Sequence, residues 1–468
     1  MAFTLTVHGS NFVPASTVEW NGTSRTTTFV SSGQLRTQIM QADVAAAGKV
    51  MVTVVNPEPG GGSSNAATFT VAADTIAFES GRALDGSNAT DNTFNIWVVN
   101  PDGSGASPLS GLIAANAESQ APAWSPDGSR IAFHSRRALN FSDAENANST
   151  INIWVMDADG SGITPLTKLT AANASSFLPV WSPDGRKIAF NSQRALDNSD
   201  AANTNAINNI WVINADGSGA SALTTLTALG AGSFAPAWSP DGRKIAFKSS
   251  RALDGSDAAN SSSNTNVWVM NADGSGTAVP LTKLTAGSSF FPAWSPDGSK
   301  IAFSSQGALD GSDVPNTNGT FNIWVAKADG SGGATPLTML TARGTSSFQP
   351  VWSPDGSKIA FASQRALDGS NNPNTNNAVQ NIWVMNADGS QATPLTQLTA
   401  ADAASFDPAW SPDGGKIFFD SRRALDGTNS ANTNLTVNIW AMNSDGSGAT
   451  ALTKITSSDA DSAHPTQP

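Results

Sequence analysis

Cysteine and tyrosine are both absent from this 468-residue chain. Without cysteine there is no disulfide, no thiolate metal site and no cysteine nucleophile. Histidine occurs only three times, as His8, His134 and His464. They lie far apart in sequence, so neither a metal-binding histidine pair nor the histidine cluster of a lyase-type site is expected. No run of 18 apolar residues is present, which excludes a membrane-spanning helix. Charged residues make up only 13% of the chain, and the formal net charge is −12. That sign disfavours a nucleic-acid partner and leaves cations, or solubility, as its use. No Gly-x-Ser-x-Gly elbow or P-loop occurs. No signal peptide is visible, because Met1-Ala2-Phe3 runs straight into strand-like alternation. A cytosolic protein or a mature, trimmed form follows. The Asn/Ser/Thr-rich, Lys-poor composition favours the second.

What the chain does have is a repeat. Asn-Ile-Trp or a near copy recurs with its tryptophan at Trp97, Trp154, Trp211, Trp268, Trp324, Trp383 and Trp440. The steps are 57, 57, 57, 56, 59 and 57 residues. Trp-Ser-Pro-Asp-Gly begins at Trp124, Trp181, Trp238, Trp294, Trp352 and Trp410, six times rather than seven. A long fixed period marks supersecondary units that bury their apolar faces only against neighbours. Within one unit, residues 179–182 read as a short strand ended by Pro-Asp-Gly, and 187–192 as its hairpin partner. A long polar loop leads to a third strand at 209–213, and residues 222–226 read as the fourth.

Four antiparallel strands per unit, repeated, predict a β-propeller. The second and third strands occur seven times, but the first occurs six times before its partners. Residues 461–466 align with the approach to Trp410, so the C-terminus is expected to supply the inner strand of the first blade. Seven blades follow, with no open sheet edge. The predicted fold is all-β: a small N-terminal Ig-like β-sandwich in residues 1–72, then a seven-bladed propeller in 73–468. A short linker near Ala72-Ala73 implies a fixed orientation between them.

Phe-x-Pro-x-Trp-Ser-Pro-Asp-Gly-x-Lys-Ile-Ala-Phe followed by Asn-Ile-Trp-Val-Met-Asn-Ala-Asp-Gly resembles TolB-type WD40-like propeller repeats, over about residues 74–468. The resemblance implies a propeller of bacterial envelope or secreted proteins and no single activity. Before it, residues 3–7, 17–20, 26–30 and 49–55 alternate as half-buried strands, with a hairpin signal at Asn21-Gly22. Gly9-Ser-Asn-Phe-Val-Pro14, Val18-Glu-Trp-Asn-Gly22 and Asn65-Ala-Ala-Thr-Phe69 resemble the immunoglobulin-like IPT/TIG domain. That family has one more strand before the position of Phe3. Its apparent lack here reads as a trimmed end, or as an open strand position that another molecule fills.

The loops between second and third strands carry the clearest chemical pattern, [D/N]-x-[S/T]-[D/N]-x-x-[D/N]. Its members are Asp85, Asn88 and Asp91; Asp143 and Asn146; Asp197, Asp200 and Asn203; Asp254, Asp257 and Asn260. The later copies supply Asp310, Asp313 and Asn316; Asp368, Asn371 and Asn374; and Asp426, Asn429 and Asn432. Carboxylate, amide and backbone oxygens suit Ca²⁺. The same residues also fold loops through Asx turns, and the pattern admits both readings. Arg82, Arg137, Arg194, Arg251, Arg365 and Arg423 precede these loops, with Gly307 breaking the series. Six guanidiniums in equivalent places could bind an anion, but each is expected instead to pair with a carboxylate in its own or the next blade. Phe177, Phe234, Phe290, Phe348 and Phe406 enter the inner strands, where they would pack between blades or surround the channel mouth. The residue after each varies: Leu178, Ala235, Phe291, Gln349, Asp407, and His464 in the closing copy. Second-strand positions Glu79, His134, Asn191, Lys248, Ser304, Ala362 and Asp420 vary likewise.

These features predict a non-catalytic extracellular, cell-surface or periplasmic interaction protein with no cofactor other than Ca²⁺. Self-association into filaments, by strand addition at the Ig-like domain, is the expected form of assembly. A carbohydrate-active lyase or hydrolase on a propeller scaffold, with a glycan as partner, is the alternative. A periplasmic partner-binding propeller is the third reading.

Overall fold

The structure, a computed structural model, describes residues 3–40, 43, 48–59, 61–71, 75–260, 264–312, 314–374, 379–458 and 460–467. Two compact units emerge, the first built on Met1–Asp74 and the second on Thr75–Pro126 and Arg130–Gln467. The linker expected at Ala72-Ala73 lies outside the described residues, as does Asp313 of the loop pattern.

In the first unit, one sheet runs Phe3–His8, Gln34–Ile39, Thr27–Ser31. The other runs Thr23–Ser24, Thr17–Trp20, Gly48–Asn56, Gly62–Ser63, with Ala67–Val71 also pairing to Gly48–Asn56. Asn21 and Gly22 both take positive φ, 50° and 77°, as a two-residue hairpin requires. Val18, Trp20, Leu35, Ile39, Val52 and Val54 alternate inward, and with Phe12 they form the core. Among the described residues, Phe3–His8 is an edge strand bonded only to Gln34–Ile39.

The second unit holds seven four-stranded antiparallel sheets. Blade 3 shows the pattern, with strands Ser176–Trp181, Lys187–Ser192, Asn209–Asn214 and Ser221–Ala222 in that order. Blade 1 is ordered Ser107–Pro108, Thr90–Val99, Ile76–Arg82, Ser462–Thr466, so the C-terminus supplies its inner strand. The inner strands touch their neighbours in sequence, and Ser462–Thr466 contacts both the blade 7 and the blade 2 inner strands. The ring is closed.

Apolar faces meet between blades. Ile153 and Val155 of blade 2 pack with Trp181, Ile188, Phe190 and Trp211 of blade 3. Across the closure, Ile76, Phe78 and Trp97 pack with Phe418 and Ile439 of blade 7. Burying a side chain such as Phe190 contributes about 1.5–3 kcal/mol. A polar link accompanies each contact from blade 3 to blade 7. Trp181 Nε1 donates to the Ala123 carbonyl at 3.0 Å, and Trp238, Trp294, Trp352 and Trp410 repeat this toward their preceding blades.

Two strand boundaries differ from those expected. The fourth strand of blade 3 is Ser221–Ala222, not 222–226. Beyond it, Thr224 Oγ1 and the Leu226 N–H both donate to Asn209 Oδ1, which draws the chain off the sheet edge. The inner strand begins at Ser176, before Pro179, because a bulge lets it continue past Leu178.

Candidate functional site at the channel mouth

In blade 3, Ser176 pairs with Ser192 and Ser192 with Asn209. The start of the inner strand and the long loop after the second strand therefore lie on one face. The Pro-Asp-Gly turns lie on the other. On the first face every inner strand bulges at the variable residue. Ala121, Leu178, Ala235, Phe291, Gln349, Asp407 and His464 all have φ between 50° and 57°. Positive φ at a non-glycine residue is uncommon, and here all seven blades carry it. The bulge turns the backbone N–H toward the preceding blade. Ala121 donates to Glu79 Oε2 at 2.7 Å, Ala235 to Asn191 Oδ1 at 2.9 Å, Gln349 to Ser304 Oγ at 3.1 Å and His464 to Asp420 Oδ2 at 3.1 Å. The two variable series read from the sequence thus meet as one ring around the mouth.

The ring is chemically one-sided. Across blades 7, 1 and 2 it gathers Asp407, Asp420, Glu79, His464 and His134. His464 Nδ1 lies 3.2 Å from Glu79 Oε1. That hydrogen bond and charge raise His464 to about 9 against the opposing effect of burial, so it is cationic at neutral pH. Burial works to raise Glu79, yet its bond to His464 holds it below the usual carboxylate range. Asp420 is fully buried, and desolvation, with the nearby Asp407 charge, pushes its pKa well up. Desolvation raises Asp407 too, and Gln349 Nε2 donates to its carboxylate. His134 is pushed down to about 4, by desolvation first, and stays neutral. Asp420 Oδ1, Asn191 Nδ2 and His134 Nδ1 are buried without a hydrogen-bond partner. Buried unpaired polar atoms carry a desolvation cost, which a bound polar group relieves.

Across blades 3 to 6 the ring is aromatic. Phe177, Phe234, Phe290 and Phe348 are half-buried there, as is Phe406 in blade 7. Phe321 bridges Phe290 and Phe348, with ring centroids 5.5 and 5.2 Å away. Lys248 Nζ lies 5.7 Å from the Phe234 ring and 5.1 Å from that of Phe290. Leu178 and Phe291 remain 42% and 43% exposed, large for side chains of this type. Sequence distance hid the histidine and carboxylate grouping. His134 and His464 both act on Glu79 electrostatically, contrary to the expectation of scattered histidines. The signal available beforehand was the variability of the two positions within an otherwise uniform repeat.

The loop oxygens are engaged elsewhere. Asp85, Asp197, Asp254, Asp310, Asp368 and Asp426 each accept the backbone N–H two residues on, as Asx turns. Asn88, Asp143, Asp200, Asp257, Asn371 and Asn429 accept backbone N–H groups from the chain leaving the preceding blade. Asp91 accepts from the Leu84 N–H at 2.9 Å. Asn146, Asn203, Asn260, Asn316, Asn374 and Asn432 are buried and donate Nδ2 to carbonyls of the segment leaving their own blade. Among the described residues, no group of three or more His, Asp or Glu has metal-binding geometry. We therefore expect the same melting temperature with a chelator and with excess Ca²⁺. A rise of several degrees on adding Ca²⁺ would restore the calcium reading.

The arginines do not form the ion pairs expected of them. Among the described residues, none of the six is in an ion pair. Each stacks on its own blade's third-strand tryptophan, from 4.2 Å for Arg82 on Trp97 to 5.2 Å for Arg137 on Trp154. Tryptophan offers the largest aromatic face for a cation, and this site is partly desolvated.

Comparison with known proteins follows this division. Residues 3–71 match the IPT/TIG domain model. A Bacillus subtilis (strain 168) protein described as an uncharacterized peptidase is 33% identical over 124 residues, 26% of this chain and 16% of that protein. An uncharacterized Agrobacterium fabrum protein is 30% identical over 202 residues, 41% of this chain and 56% of its own length. The chain thus spans about half or less of these relatives. Among solved structures, the β-propeller domain of the trilobed protease from Pyrococcus furiosus aligns with TM-score 0.50 and 12% identity, over 82% of this chain and 93% of that one. A putative TolB from Agrobacterium tumefaciens aligns with TM-score 0.41 and 21% identity, over 62% and 84%. Other propeller neighbours are a lyase, a peptidase and a gluconolactonase. The chain therefore carries an IPT/TIG domain at residues 3–71, followed by a β-propeller whose structural neighbours include TolB.

Proposed function

We propose that this is a partner-binding propeller, and that the channel mouth takes a polypeptide segment of another protein. The one-sided ring carries the reading. A segment with an apolar side chain would lie on Phe291, Phe290 and Leu178. A cationic group on the same segment would face Asp407, Asp420 and Glu79. The unpaired Asn191 Nδ2 and Asp420 Oδ1 would bond its backbone. Buried aromatic anchors beside oriented polar groups are the usual makings of a binding hot spot. A periplasmic or extracellular location suits the names of the TolB and periplasmic gluconolactonase neighbours. Among the described residues, no helix is long and apolar enough to cross a membrane.

A second reading has its own support. A carboxyl group whose pKa burial raises, beside one held low, is the arrangement of a general acid, and Asp420 with Glu79 offers it. A peptide library presented to the full chain separates the two. Binding to the wild type should select sequences pairing an apolar residue with Lys or Arg, and F291A with D407N should lose that selection. Glycan or peptide turnover abolished by D420N, with no selected peptide, would instead make this an enzyme. The edge strand Phe3–His8 supports strand addition as a route of self-assembly. Light scattering of the full chain over a concentration series tests that route separately.

A further inference from the structure

Gly307 interrupts a structural series, and nothing local demands glycine there. Its backbone forms an isolated bridge with Pro315, as Arg194 does with Ala202 and Arg251 with Ala259. Its N–H donates to Ser305 Oγ at 3.0 Å, as that of Arg137 does to Ser135 Oγ. A Cβ at Gly307 would come no nearer than 3.4 Å to a neighbour, and its φ is not positive. The other six blades place a guanidinium here, over the third-strand tryptophan. In blade 3 Arg194 also donates to the carbonyl of Asn198, four residues on, at 2.7 Å, and Arg423 does the same to Gly427. Nearby carboxylates add a favourable charge, Asp200 and then Asp197 for Arg194, and Asp426 for Arg423.

Blade 5 keeps three partners of that guanidinium: the Trp324 ring, the Gly311 carbonyl and the Asp310 carboxylate. The counterpart of Asp200 and Asp257, Asp313, lies outside the described residues. Trp324 is 4% exposed where the six covered tryptophans are 0–1%. Beside it lies a cavity of about 430 Å³, lined by Trp324, Gly307, Phe303, Leu281, Gly311 and Lys283, among others. Lys283 does not disqualify a cation. Lys168 and Lys454 stand at the matching places before blades 3 and 1, where Arg194 and Arg82 stack normally.

We propose that this cavity between blades 4 and 5 binds a guanidinium group from outside the chain, such as an arginine side chain, stacked on Trp324. It is independent of the channel mouth. The planar cation matches the stacking seen six times over, so guanidinium should bind better than a primary ammonium. The test is a titration of full-length protein, carrying ¹⁵N-labelled tryptophan, with ethylguanidinium, followed by the indole N–H resonances. W324F assigns the Trp324 signal. We expect that signal alone to shift saturably, and ethylammonium to bind more weakly. G307R should supply the cation internally, abolish the shift and raise the melting temperature. D310N should weaken binding by roughly three- to tenfold, as loss of about 1 kcal/mol implies. A further arm compares free arginine with the tripeptide Gly-Arg-Gly. Tighter binding of the peptide assigns the site to a polypeptide partner, and tighter binding of arginine to a small molecule. Linear, unsaturated shifts of all indoles alike, or an undiminished Trp324 shift in G307R, would overturn the proposal.

Discussion

Deleting residues 461–468 is expected to cost on the order of 5 kcal/mol and to open the ring. Ser462, Ala463 and Thr466 pair with Ser80, Glu79 and Ala77, so the inner strand of blade 1 disappears. Also lost are the Gly81 N–H to Asp461 carbonyl bond at 3.1 Å and the Val437 N–H to Asp461 Oδ1 bond at 2.8 Å. Ser462 Oγ gives up its contact with Ser80 Oγ at 2.9 Å, and Asp420 its bond from His464. Buried partners on both flanking blades are then left unpaired, which costs more than the bonds themselves contribute. This closure also lacks the tryptophan bond that ties each of blades 3 to 7 to the blade before it. The tryptophan that bonds back to the preceding blade elsewhere is replaced by Gln467 in blade 1. Trp124 Nε1, the next in order, has no hydrogen-bond partner. Thermal unfolding should fall by many degrees, and light scattering should show association through the exposed edge of Ile76–Arg82. A melting curve unchanged by the deletion would mean that the strand does not close the ring.

Asn209→Ala should cost blade 3 about 3 kcal/mol, far more than the loss of a loop carboxylate. Asn209 is fully buried at the start of the third strand. Its Oδ1 accepts from Thr224 Oγ1 at 2.9 Å and from the Leu226 N–H at 2.7 Å, and its Nδ2 donates to the Leu226 carbonyl at 2.9 Å. One amide thus satisfies the backbone where the chain leaves the blade. Alanine would leave the Leu226 N–H buried and unpaired, and its carbonyl with Asn203 Nδ2 alone. Asp197→Ala, which removes an exposed Asx turn, is the comparison and should cost under about 1 kcal/mol. Denaturant titration of the two variants checks the order. Equal losses would show that the amide is not what holds the exit of the fourth strand.

That asparagine shows what the sequence reveals and what it hides. Asn-Ile-Trp was legible as a marker of period, and counting its copies against Trp-Ser-Pro-Asp-Gly was enough to predict seven blades and the C-terminal strand. The role of its asparagine was not legible, because its partners lie 15 to 17 residues on, in a segment that reads as a strand. The loop pattern stayed open to two readings for a related reason. Oxygen-rich side chains suit a cation or a backbone N–H equally well, and only register shows that Asp200 meets the Thr170 and Ala171 N–H groups of the preceding blade. The arginines were expected to find carboxylates because charge is visible in a sequence and ring stacking is not. The mouth cluster was half visible. Variable positions pointed to it, but the chemistry exists only after closure sets His464 beside Glu79.

The central claim is that this protein works through the channel mouth, on the face of the bulged inner strands. Site-specific photo-crosslinking in its native setting tests it most directly, with the photoreactive residue placed at Phe291, at Asp407, or at Asp241 in a Pro-Asp-Gly turn of the opposite face. The account predicts one discrete protein adduct from Phe291 and from Asp407, lost when the other of the two positions is replaced by alanine, and none from Asp241. Adducts from Asp241 alone, or none from the mouth while the protein turns over a glycan or peptide through Asp420, would contradict it.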